Sequence, residues 1–258
     1  MYSQRKTGVV IPAFDAETMI QGVVETMPDY VDHIIVVNDA STDSTPDVLA
    51  AMEEPRLCVL HHEQNQGVGA AITTGYREAM QKQCDIIAVM AADGQMDPDD
   101  LPGLLDAIIH RGIDYAKGNR FMHSDVFTAM PPVRLAGNIA LSVATRVATG
   151  NYSTFDSQCG YTAISAEALK KIEYATLWPR YGYPNDMLNR CVMAGLKVED
   201  IPVRPVYHDE HSRMNVNKMF VMFPRLLTSL WFKRQRRGFL KTLSGMKTTI
   251  APKSHGQD

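Results

Sequence analysis

"IIAVMAADGQMDPDDL" (Ile86–Leu101) holds an apolar run that stops at a lone aspartate, Asp93, and passes into an acidic, proline-bearing helix start. A short apolar run bounded by turn residues reads as a buried strand. In an open α/β sheet, ligands sit just beyond the carboxyl ends of the strands. The stretch therefore predicts a strand whose end presents Asp93, and Gln95 two residues on, to a ligand. Ala91 stands two places before Asp93, so the strand end carries one carboxylate rather than a spaced pair.

The same grammar repeats along the first half of the chain. "GVVIPAF" (Gly8–Phe14), "DHIIVVND" (Asp32–Asp39) and "RLCVLHH" (Arg56–His62) read as three further strands. Each is followed by a helix pattern: one running to about Met27, "STPDVLAAM" from Ser44, and "GVGAAITTGYREAMQ" from Gly67. Ser44, three residues before Asp47, predicts an acidic variant of the capping box. Strict alternation implies right-handed crossovers and a mostly parallel sheet flanked by helices. Asp15, Asn38 with Asp39, Glu63, and Asp93 with Gln95 all fall just after apolar runs, so one sheet edge gathers carboxylates and amides. "NQGVGAAI" (Asn65–Ile72) lacks the third glycine of a dinucleotide fingerprint and follows the third strand, so Gly67 and Gly69 read as close helix–strand packing.

After Asn119 the alternation stops. "PPVRLAGNIALSVATRVATG" (Pro131–Gly150) is an amphipathic helix, "DSQCGYTAIS" (Asp156–Ser165) is strand-like, and "AEALKKI" (Ala166–Ile172) is a short helix. "YGYPNDMLNRCVMAGLKV" (Tyr181–Val198) opens a helix behind a proline, and "EDIPVRPVYHDE" (Glu199–Glu210) is extended. No low-complexity linker or repeat interrupts this order. The expectation is one domain over 1–213, with its ligand half at 7–120 and a second half at 121–213, followed by a tail at 214–258.

With 258 residues, 45% of them apolar and 21% charged, the chain can bury one large core. The net charge of −3 conceals a split: +8 from Met214 onward and −11 before it. A basic tail on an acidic body meets something anionic. The tail has no nucleic-acid-binding motif, so no nucleic-acid partner is expected. Its apolar stretch, Met219–Phe232, is broken by Pro224 and Arg225 and is too short to span a bilayer. Followed by Lys233, Arg234, Arg236 and Arg237, it suits a helix lying on an anionic membrane surface; the alternatives are a helix packed on the body or a homodimer contact. No signal peptide is apparent, and four scattered cysteines indicate neither a zinc site nor a disulfide framework. A reducing cytoplasmic setting, peripheral at the inner face of the cell membrane, follows as the expectation.

Five ordered pieces, "VVIPAFDAE", "IIVVNDASTDST", "NQGVGAAITTGY", "DGQMDPDDL" and "GNR", resemble the inverting family 2 glycosyltransferases with a GT-A fold. The pattern is similar above all to the polyprenyl-phosphate (dolichyl-phosphate) mannose synthase group, over about residues 7–213. The resemblance implies sugar transfer from a UDP- or GDP-linked donor with help from Mg²⁺ or Mn²⁺. It places Pro12, Ala13, Asp15, Asn38, Asp39, Gly67 and Arg120 at the donor, and Asp93 with Gln95 at the metal, Asp93 matching the second carboxylate of an Asp-x-Asp motif. One carboxylate and an amide oxygen suffice for a cation whose other ligands are phosphate oxygens and water. Arg120 and Arg134 match arginines near donor or acceptor phosphates, whose oxygens suit guanidinium forks. The same resemblance implies that Asp156, Gln158 and Gly160 shape the sugar and acceptor pocket, and that Ser212 with Arg213, in "HDEHSRMN", approaches the acceptor phosphate. Asp186, in "YPNDML", is the candidate general base for a hydroxyl acceptor. A phosphate acceptor needs none, being largely ionised near neutrality, and Asp186 would then position the sugar or an arginine. The implied acceptor is a polyprenyl phosphate. A glycan hydroxyl is the enzymatic alternative, and a non-catalytic nucleotide-sugar-binding relative is the other.

Overall fold

The computed structural model describes residues 1–206 and 222–236, the side chain of Thr128 aside; the "HDEHSRMN" segment, with Ser212 and Arg213, lies outside them. The first half alternates β1 (Thr7–Ala13), α1 (Ile20–Glu25), β2 (His33–Asn38), α2 (Thr45–Ala50), β3 (Leu57–His61), α3 (Val68–Gln81), β4 (Ile86–Val89) and α4 (Leu101–Arg111). It continues with β5 (Tyr115–Asn119), α5 (Val126–Ala129), α6 (Pro132–Thr149), β6 (Thr162–Ser165), α7 (Ala166–Lys170), α8 (Tyr183–Ala194) and β7 (Val198–Pro202). A last helix, α9, spans 222–236.

The seven strands form one sheet in the order β3-β2-β1-β4-β6-β5-β7. β1 pairs in parallel with β2 and β4, β2 with β3, and β5 with β7. β6 alone runs antiparallel, wedged between β4 and β5. Strand β5 was not read from the sequence: its five residues include Lys117 and Gly118, which break the apolar pattern. Lys117 is fully buried and hydrogen-bonds Cys159 O at 2.5 Å, so tertiary pairing overrides a weak local signal.

Alternate side chains of each strand feed opposite faces. Val9, Ile11, Ile34, Val36, Ile86 and Ala88 pack against Val24 of α1, Leu49 of α2 and Leu104 of α4. Val10, Ile35, Val37, Ile87 and Val89 pack against Ile72 and Tyr76 of α3, Leu169 of α7 and Leu188 of α8. Two helical layers thus enclose a sheet buried on both faces, as parallel pairing requires. The expected capping box at Ser44 does not form. Its side chain makes no cap hydrogen bond, and the Asp43 carboxylate instead accepts from Thr45 N at 3.0 Å and Thr45 Oγ1 at 2.6 Å.

The small residues of α3 set its distance from the sheet. A β-carbon at Gly75 would collide with Val10 Cγ1, a stiff branched side chain in the core. By contrast, a β-carbon at Gly22 of α1 meets nothing within 4 Å. Gly75→Ala is expected to lower stability by roughly 1–3 kcal/mol through overpacking, despite alanine's better helix propensity. Gly22→Ala should raise it by about 0.5–1 kcal/mol. Urea unfolding of both variants checks the pair; equal effects would contradict the close approach of α3.

Candidate active site

The strand ends of β1, β2 and β4 come together as the alternation predicts. Pro12 and Ala13 of β1 pair with Val37 and Asn38 of β2. Beyond them Asp15, at φ 49°, accepts from Thr42 N at 2.8 Å and so fastens the two loops together. Asn38 is buried; its amide oxygen accepts from Ser41 N at 3.1 Å, and its amide nitrogen meets His61 Nδ1 at 3.0 Å.

Asp39 is also buried, and its carboxylate is turned inward. Oδ1 accepts from Gln66 N at 2.8 Å and meets His62 Nδ1 at 2.7 Å, while Oδ2 accepts from Gly67 N at 2.7 Å. The N–H of Ala70 is taken by Pro179 O at 3.1 Å. A pyrophosphate bound as in a dinucleotide fold needs these free N–H groups at a helix N-terminus. Protein acceptors take those of Gln66, Gly67 and Ala70 here, which agrees with Gly67 and Gly69 as packing glycines. A β-carbon at Gly67 would lie 2.5 Å from Pro179 O, and Gly67 itself holds φ 98°.

Beside this edge opens a cavity of about 190 Å³. It is lined by Asp93, Gln95, Arg120, Arg134 and Gln158 from the sequence reading, and by Asn138, Tyr161 and Arg204 in addition. Among the described residues lining it, Asp93 is the sole carboxylate against three arginines. Asp93 Oδ1 accepts from Gln95 N at 3.0 Å, a turn that brings the aspartate and the glutamine to the same wall. Among the described residues no group of three His, Cys, Asp or Glu gathers for a metal. A carboxylate and an amide oxygen fit a hard cation that draws its remaining ligands from a diphosphate.

Beneath the cavity, Asp156 is fully buried and forms a two-pronged pair with Arg120, Nε to Oδ2 at 2.7 Å and Nη2 to Oδ1 at 3.0 Å. Burial by itself would raise the Asp156 pKa; the Arg120 guanidinium outweighs it and holds the carboxyl below its ordinary value. Asp156 thus orients Arg120 rather than facing the cavity itself. Asp200 braces the same loops, its Oδ2 accepting from Phe155 N and Asn119 Nδ2, both at 2.6 Å, and burial pushes its carboxyl up.

Arg204 escaped the sequence reading because it sits in a stretch legible only as extended chain. Its guanidinium meets Asp97 at 3.0 Å, Asp99 at 3.5 Å and Asp100 at 3.2 Å. The acidic "MDPDDL" run was the available signal: three carboxylates close together after a strand end call for a cation. Asp186 departs from the expectation. It is not among the cavity's lining residues, its side chain is 3% exposed, and Oδ2 accepts from Trp178 N at 3.0 Å and Arg190 Nε at 2.9 Å. The preceding Asn185 is the closer neighbour of the site, accepting from Gln158 Nε2 at 3.3 Å.

The GT-A-like sheet with a carboxylate and arginines at its edge is the architecture of a nucleotide-sugar transferase. Residues 8–173 match the model of glycosyl transferase family 2, and the chain belongs to that family and is a glycosyltransferase. A UDP-N-acetylglucosamine–dolichyl-phosphate N-acetylglucosaminyltransferase of Methanococcus voltae is 32% identical over 85% of this chain and 94% of its own. A polyprenol monophosphomannose synthase of Mycolicibacterium smegmatis is 30% identical over 77% of each chain. The glucosyl-3-phosphoglycerate synthase of Mycobacterium tuberculosis, in complex with Mn²⁺, UDP and glucosyl-3-phosphoglycerate, superposes with a TM-score of 0.65 at 20% identity, over 90% of this chain and 80% of that one. That likeness establishes the fold.

The Arg120–Asp156 pair gives a pH prediction. Its folded-state carboxyl pKa lies below the unfolded value, so its stabilisation is complete above about pH 4 and is lost as pH falls through the lower folded value. Arg120→Met leaves a buried charge unpaired and should cost roughly 3–5 kcal/mol at pH 7. The gap to the wild type should narrow at pH 4, where the orphaned carboxyl protonates. Urea unfolding at both pH values tests this, and an unchanged gap would contradict it.

Proposed function

We propose that this chain transfers a sugar, with inversion, from a UDP- or GDP-linked donor to a polyprenyl phosphate at a membrane surface. The observation that carries the reading is a cavity with three arginines and, among the described lining residues, no carboxylate but Asp93. A hydroxyl acceptor needs a base to take its proton; a phosphomonoester arrives ionised and needs cations to seat it. Arg120, Arg134 and Arg204 are the groups in place to seat phosphate oxygens, with Asn138 and Gln158 as neutral partners. Named relatives that act on dolichyl phosphate and polyprenol support the same acceptor class.

Asp93 and Gln95 would hold Mg²⁺ or Mn²⁺, which when bound offsets the charge of the departing diphosphate. Arg120, fixed in direction by Asp156, meets the donor phosphates, while Arg134 orients an oxygen of the acceptor phosphate toward the anomeric carbon. The new bond joins that oxygen to C1 while the bond from C1 to the donor's β-phosphate oxygen breaks, and the electron pair leaves on the nucleoside diphosphate. No proton moves in this step.

Membrane contact is part of the proposal. No helix among the described residues is long and apolar enough to cross a membrane. Helix α9 buries Phe223, Leu226 and Leu230 on the body and exposes Trp231 at 40% and Phe232 at 65%. Exposed aromatics on the same helix as the exposed Arg236 suit an anionic lipid surface. Four free cysteines support a position at the cytoplasmic, inner face.

The test offers nucleotide sugars with Mn²⁺ to the purified chain and three acceptors: polyprenyl phosphate, the matching polyprenol, and an oligosaccharide. Transfer is expected to the phosphate alone, and Asp93→Asn should lower its rate by two or more orders of magnitude while leaving the fold intact by circular dichroism. Faster transfer to polyprenol or to the glycan would overturn the reading.

A further inference from the structure

Asp186 and Lys233 stand outside the cavity, yet a continuous set of contacts joins them to the donor edge. Asp186 lies in the first turn of α8, and its Oδ1 is buried without a hydrogen-bond partner. The cation facing that oxygen is Lys233 of α9, with Nζ 3.6 Å away. Leaving a buried carboxylate oxygen unpaired is costly, and Lys233 adds at that oxygen a second counter-charge to the one Arg190 supplies at Oδ2. Helix α9 is seated to keep that charge in place: Leu226 packs where a β-carbon on Gly182 would lie 2.5 Å from its Cδ2, and Arg234 donates to Val147 O of α6 at 3.1 Å.

On its other side Asp186 holds the 173–180 loop. Oδ2 accepts from Trp178 N, and Arg190, paired to the same oxygen, donates to Thr176 O at 2.6 Å and Thr176 Oγ1 at 3.0 Å. That loop presses on the N-terminus of α3. Pro179 O accepts from Ala70 N, the Trp178 carbonyl closes over Gly69, and Arg180 reaches Asn65 Oδ1 at 3.4 Å. Asn65, Gln66 and Gly67 in turn clasp Asp39 at the end of β2.

We propose that Asp186 and Lys233 are positioning residues that lock the 173–180 loop against the 65–70 loop, so that the seating of α9 sets the affinity for the nucleotide donor. The inference rests on the nucleotide-sugar reading above. It makes Asp186 a hub of support rather than a base. It also gives the tail helix a structural part in the donor half of the enzyme.

The test measures UDP and GDP binding by titration calorimetry in Mn²⁺ without acceptor, steady-state kinetics, and Trp178 emission. The last is read in a Trp231→Phe background, since Trp178 and Trp231 are the only two tryptophans. Lys233→Met should raise the nucleotide Kd and donor KM roughly five- to tenfold with kcat within about twofold, and should shift the Trp178 emission. Lys233→Arg should restore both. Asp186→Asn should behave like Lys233→Met, and the double variant no worse than Asp186→Asn alone, since the two act through one contact. Gln235→Ala, exposed on the same helix, is the control. Unchanged Kd and emission in Lys233→Met would overturn the proposal, as would an Asp186→Asn enzyme that loses kcat a hundredfold with donor affinity intact, the mark of a base. If the wild type binds neither nucleotide, the nucleotide-sugar reading fails, and the Trp178 emission still decides whether the lock exists.

Discussion

The site hangs on one buried ion pair. Asp156 has no exposed surface, and Arg120 is the group that lets its charge survive there. In exchange, the carboxylate fixes the plane and direction of a guanidinium that reaches the cavity. Around the pair, Lys117, Asn119 and Asp200 tie β5, β7 and the loop before β6 into one polar block under the cavity floor. A long, flexible arginine presents phosphate-binding donors in a fixed direction only if something removes its rotamer freedom in advance. Here that something is a carboxylate that water does not reach.

The second constraint is what the fold refuses. At the N-terminus of α3, Asp39 and Pro179 occupy the N–H groups of Gln66, Gly67 and Ala70. Asp93 and Gln95, beyond the end of β4, line one cavity together with Arg120, Arg134 and Arg204. The antiparallel β6 makes this geometry: wedged between β4 and β5, it delivers Cys159, Gly160 and Tyr161 to the cavity floor.

Much of this was legible in the residues. Periodicity gave the first four strands and their helices, since buried parallel strands are continuous apolar runs, and the strand-end rule led to Asp93 and Gln95. Strand β5 was hidden because Lys117 is a residue that local pattern assigns to solvent, and its burial rests on the hydrogen bond to Cys159 O and on the nearby Asp156 and Asp200 carboxylates. Arg204 was hidden because nothing in "IPVRPVY" says that the chain folds back onto Asp97, Asp99 and Asp100. Asp186 was found as an acidic residue at a helix start, yet sequence cannot say which way such a side chain turns. Arg190, one turn along, and Trp178 draw it away from the cavity. The tail read as a lipid-facing helix; its Phe223, Leu226 and Leu230 stripe is used by the body, which leaves Trp231 and Phe232 outward.

On the proposed reading a phosphate acceptor is itself the titrating group, since Asp93 is the sole carboxylate among the described residues lining the cavity. The most direct measurement is the pH dependence of kcat/KM for two acceptors, a polyprenyl phosphate and its phosphonate analogue, which ionises at higher pH. The acidic limb should sit near the phosphate's second ionisation, at about pH 6, and move upward with the phosphonate. A limb that stays fixed when the acceptor changes would assign the titration to a protein base and contradict the account.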